Sequence, residues 1–161
     1  MWGVMISSYI LMGISFVSII IAAIIGYFQG DIYGASHILI ALYSSIIYMF
    51  TETLIMFYFI ITGIKIKEFI KQHKLDIVKY YKPIIDMKIK LFPNIMINMI
   101  IIGATFILHG AVDNNIISPF LHLIIYLTGI LHFIWLIFLQ HRCFITNTEL
   151  VILIHDLAND N

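Results

Sequence analysis

The sequence predicts an all-α integral membrane protein: a four-helix bundle with both termini cytoplasmic and an amphipathic basic helical connector between helices two and three. Three observations carry this. Four apolar runs, residues 5–27, 37–63, 94–112 and 119–140, approach or exceed the roughly 20 helical residues that cross a hydrocarbon core of about 30 Å. None alternates with the strict two-residue period of a membrane strand, so a helix is the way to pair every backbone group within its own segment. The charge is also one-sided: residues 65–90 hold all eight lysines and the single arginine is Arg142, whereas 29–36 and 113–118 carry acids and no cation. By the positive-inside rule the basic stretch is cytoplasmic, which leaves two short loops outside. The chain reads as a single transmembrane domain, 1–161, of a bacterial-type inner membrane.

The first run lacks a basic leader and a small-residue cleavage pattern, so it is read as a mature helix and not a secretory signal. Ser8, Ser15, Ser18, Ala22 and Gly26 form a stripe of small residues along it, a pattern that lets helix backbones approach closely in lipid. The second run starts after Ser36, a candidate N-cap. Its polar residues His37, Ser44, Ser45, Tyr48 and Glu52 recur along one side of a 3.6-residue helix.

The connector, residues 64–92, sets Ile66, Phe69, Ile70, Leu75, Ile77 and Val78 among lysines at helical spacing, so helix two is expected to continue into the cytoplasm. It reads first as a topology determinant, and otherwise as a surface for anionic lipid or an acidic partner. Nucleic acid is excluded as a partner, because Glu68, Asp76 and Asp86 interrupt the positive charge and no recognition motif is present.

Pro93 is expected to open the third span, which carries Asn94, Asn98, Thr105, His109 and Asp113 along one side. Ser118 and Pro119 form an N-cap with proline at the first helical position of the fourth span. There His122, Tyr126 and Gly129 share a side, while His132 is turned from His122 by about 80°. Cys143 is the lone cysteine, which rules out an internal disulfide and suits a small buried residue. Trp135, within the span, is expected to pack or to line a cofactor pocket.

Topology assigns each polar residue a depth. His37, His109 and His122 fall within about one turn of the outer surface, near Asp113 and Asp31, and form an outer layer. Glu52, Asn98 and His132 fall about 20 to 24 Å below it and form an inner layer. Neutral imidazole binds copper, zinc and iron, and a carboxylate such as Asp113 can complete the shell. Haem b instead needs two axial histidines at matched depth with small residues beside them, as His37 offers with His109 or His122 near Gly103, Gly110 and Gly129. Against haem, the outer face has no Lys or Arg to meet propionates. In the inner layer, Glu52 opposite His132 is expected to form a buried pair, orient an imidazole or pass protons to a quinone, with Asn98 as interhelical glue.

No phosphate-binding glycine loop, paired-cysteine zinc motif or glycine-flanked serine is present, and no catalytic residue is assigned. His73, His141 and His155 lie on or near the cytoplasmic side and read as surface residues. The expected function is a small membrane redox or metal protein holding haem b, copper or zinc through His37, His109 and His122, as a subunit of a respiratory-type electron-transport complex. A structural subunit or assembly factor is the first alternative. The second is a proton-coupled transporter or channel using Glu52 and His132, which at this size needs a homo-oligomer to enclose a path.

Overall fold

The computed structural model describes residues 2–28 and 36–159, with no side-chain description for Trp2, His155, Ala158 and Asn159. Asp31 therefore lies outside the described residues, and so does the side chain of His155. Four helices follow in order: α1 Trp2–Phe28, α2 His37–Gln72, α3 Ile77–Asp113 and α4 Pro119–Asn159. Each is long and apolar enough to cross a membrane.

Consecutive helices pack as antiparallel neighbours, α1 on α2, α2 on α3 and α3 on α4. Side chains close the ring between α4 and α1: the Tyr126 hydroxyl donates to the Ile19 carbonyl at 3.0 Å, and Tyr9 bonds His141 at 2.8 Å. The exterior is apolar, unlike that of a water-soluble bundle. On α1, Ile6, Ile10, Ile14, Val17, Ile21 and Ile24 all face outward, while Ser8 and Ser15 are wholly buried. A continuous apolar exterior of this kind is costly in water and matches a lipid solvent.

The stretch 64–92 is not a separate helix. At 1.5 Å per residue, α2 with 36 residues and α3 with 37 are each about 55 Å long, so both run well past a 30 Å core into a helical hairpin. The turn between them is set locally. Lys74 takes a left-handed φ of 54°, and the Leu75 N–H donates to the Ile70 carbonyl at 3.0 Å, the six-to-one bond of a Schellman ending. Asp76 then caps α3, its carboxylate accepting from the N–H groups of Val78 and Lys79 at 2.8 and 3.2 Å. Because that cap starts the helix at Ile77, Pro93 lies inside α3, as does Pro83, and does not open it.

The other ends follow the expected chemistry more closely. The Ser118 hydroxyl accepts from the Leu121 N–H at 3.2 Å, with Pro119 as the first residue of α4. Ser36 occupies the N-cap of α2, yet its backbone carbonyl, not its hydroxyl, receives the Leu39 and Ile40 N–H groups. The end of α3 repeats the left-handed ending at Asn115, a residue type that tolerates it.

Candidate functional site

The small-residue stripe of α1 faces α2 and bonds to it. Ser44 donates to the Ser18 carbonyl at 3.0 Å, and since Thr51 gives its own proton to the Ile47 carbonyl, Ser15 is the donor in its 2.8 Å bond to Thr51. Above these contacts, at the end of the bundle where α2 and α4 begin, three histidines from three helices meet. The His37 and His109 ring centres are 4.8 Å apart with planes at 75°, and those of His109 and His122 are 5.5 Å apart.

Each ring has a distinct setting. His122 Nε2 lies 3.0 Å from the Thr105 carbonyl, which can only accept, so Nε2 carries a proton and Nδ1 is the nitrogen left to meet a ligand. His109 Nε2 lies 3.9 Å from the carboxylate of Asp113, one turn on, in position to orient that ring. His37 presses against Gly26, where a Cβ would come within 2.4 Å of the ring, and its buried Nδ1 has no hydrogen-bond partner. The three rings border a half-open cavity of about 750 Å³, lined otherwise by small residues such as Ala22, Ala41 and Ser44, by the polar Ser36, Thr105, Asp113 and Tyr126, and by apolar side chains.

Ring spacing discriminates between ligands. With nitrogen about 2.0 Å from an ion and the ring centre about 1.1 Å beyond, imidazoles at a tetrahedral angle have centres about 5.1 Å apart. The same lengths place two axial imidazoles on opposite sides of a haem iron about 6.2 Å apart. The observed 4.8 and 5.5 Å bracket the tetrahedral value and fall short of the axial one. Among the described residues no group of three or more His, Cys, Asp or Glu side chains forms a ready ligand set, so a shared ion requires the rings to turn toward one point.

The expected inner layer divides. Asn98, wholly buried, accepts from the Tyr48 hydroxyl and donates to the Gly129 carbonyl at 2.9 Å, tying α2, α3 and α4 together. Glu52, also wholly buried, meets Gln140, whose Nε2 donates to Oε2 at 2.5 Å. His132 does not join them. It is half-buried beside Trp135, ring centres 5.3 Å apart, and that tryptophan is 46% exposed, so it faces outward and does not line a pocket.

Farther along, Asn147 donates to the Tyr58 hydroxyl at 3.2 Å. Gln140 and Asn147 were not singled out by the sequence; the available signal is their seven-residue spacing on α4, two turns along one face. Cys143 is buried, as its residue type suggests, and His73 stacks on Phe69 in the hairpin. Compared with known proteins, the chain matches no family model, no curated protein sequence and no solved structure.

Proposed function

We propose that this chain is a small integral membrane metal protein whose His37, His109 and His122 bind one transition metal ion, zinc or copper. The observation that carries the reading is the contact of three imidazoles from α2, α3 and α4 beside a cavity of about 750 Å³. Imidazole suits both ions, and Asp113 serves as the carboxylate that orients His109 or completes the shell. Haem b is the weaker cofactor for this cluster, since the ring centres are too close for axial ligation as they stand and no cation is present to meet propionates. A bound ion would supply Lewis acidity or, for copper, one-electron chemistry; the protein would supply the imidazole ligands and a mixed wall of small, apolar and polar side chains.

On this reading the chain sits in a bacterial-type inner membrane; the eight lysines within residues 65–90 support, by the positive-inside rule, a cytoplasmic hairpin and cytoplasmic termini, with the proposed metal cluster near the outer face. A role as a subunit of a larger membrane complex draws support from the hairpin, where Val78, Ile85 and Ile89 remain exposed on one side of α3. Elemental analysis of protein purified without chelator tests the function. About one zinc or copper per chain is expected, lost in His37→Ala, His109→Ala and His122→Ala while each variant still inserts. Retention of the ion by all three variants overturns the reading, and a Soret band in its place reassigns the cofactor to haem.

A further inference from the structure

Some 20 Å from the histidines at 1.5 Å per residue, Glu52 and Gln140 pose a separate problem of hydrogen-bond accounting. Gln140 Nε2 donates to Glu52 Oε2, but Glu52 Oε1 and Gln140 Oε1 are both buried without any donor. Both residues are wholly inaccessible. A carboxylate and an amide oxygen are acceptors only, so this pair as a carboxylate and an amide leaves two buried acceptors unmatched. One proton on Glu52 changes the count: a carboxylic acid O–H can donate to Gln140 Oε1 while the amide N–H donates back, giving an acid–amide pair with two complementary bonds.

No cation offers an alternative. Among the described residues no Lys, Arg or His pairs with Glu52 from α1, α3 or α4, and on α2 its titratable neighbour is Tyr48, whose hydroxyl is already committed to Asn98. The next polar pair, Tyr58 with Asn147, lies toward the lysine-rich end, and Tyr9 bonds the exposed His141 at the level of Gln140 itself.

We propose that Glu52 and Gln140 form a proton-binding site inside the bundle. The proton adds to Glu52 and leaves it again; no bond other than O–H forms or breaks. The site stands apart from the metal cluster, and neither proposal requires the other.

Infrared spectroscopy of the full chain in phospholipid nanodiscs at neutral pH tests it. The wild type is expected to show a protonated carboxylic C=O band that shifts in D₂O. Glu52→Gln, which preserves shape and still allows an amide–amide pair, is expected to lack the band, and Gln140→Leu to keep it at a higher frequency. A Glu52→Gln spectrum identical to wild type in this region overturns the site, and an unmoved band in Gln140→Leu overturns the pairing.

Discussion

Gly26→Ala places one methyl group against the proposed ligand His37 without replacing that residue. A Cβ at this position would lie 2.4 Å from Cε1, 2.7 Å from Nε2 and 2.9 Å from Nδ1 of His37. Carbon atoms rest about 3.5 Å apart or farther, so the imidazole must retreat by about 1 Å. Ligand positions in a metal site hold to about 0.2 Å, and the retreat is several times larger. Changes in the groups that orient a ligand typically weaken metal binding 10–100-fold. The expected loss is therefore about 1.4 to 2.8 kcal/mol at 1.4 kcal/mol per tenfold. The fold itself should tolerate the change, because the displaced group is a rotatable ring and alanine is the better helix former by about 0.5–1 kcal/mol.

The measurement is a zinc titration against a chromophoric chelator on protein in micelles, with unfolding followed in parallel. Gly13→Ala is the control, since a Cβ there meets nothing within 4 Å and sits on the same helix. Weaker zinc binding in Gly26→Ala alone, with unchanged unfolding, is the expected pattern. Equal affinity in Gly26→Ala and wild type would refute the idea that contact with Gly26 sets the position from which His37 reaches a shared ion. Equal weakening in both variants would refute it too, by tracing the effect to the helix in general.

Two further outcomes follow from the geometry. Asn98→Ala removes the acceptor of the Tyr48 hydroxyl and a donor to Gly129, and should cost about 1–3 kcal/mol in mixed-micelle unfolding; an unchanged midpoint would refute Asn98 as the tie between α2, α3 and α4. In a Cys143→Ala background, Asn115→Cys should react with membrane-impermeant maleimide on intact cells and Gln72→Cys should not, and the reverse result refutes the orientation inferred from the lysines.

What the sequence makes legible follows from which geometric quantity each feature needs. Depth is read from chain position, and it works where two helices count from the same layer. Tyr48 lies 48 − 37 = 11 residues past His37, and Asn98 lies 109 − 98 = 11 before His109, so the two reach the same level and bond. Depth works less well over longer counts. Glu52 is 52 − 37 = 15 residues from its histidine, whereas His132 is 132 − 122 = 10 from His122 and Gln140 is 18, so Gln140 is the nearer match in height.

Rotation supplies the rest. The 80° offset of His132 from His122 already points it away from the shared polar side, and in the structure it sits at the edge beside Trp135. The helix start at Ile77 was hidden for another reason: proline is common at helix starts, and Pro93 looked like one until the cap at Asp76 showed that α3 begins earlier.

The place of the candidate site is a consequence of side-chain size along the bundle. Toward the lysine-rich end the interior is filled by Tyr48, Phe59, Phe133 and Phe144, all at most 1% exposed, and their rings pack on one another between α2 and α4. Toward the histidine end the facing residues shrink to Ala22, Ala23, Gly26, Ala41, Ser44 and Ser45, and the cavity occupies the space they leave. In lipid, small residues normally draw helices together, because close van der Waals packing replaces the missing hydrophobic drive. Here the three imidazoles stand between α2, α3 and α4 where that closure would occur, so the same residues that narrow α1 against α2 leave room beside the rings. On the proposed reading, a ligand that draws the three rings together would occupy part of that half-open space.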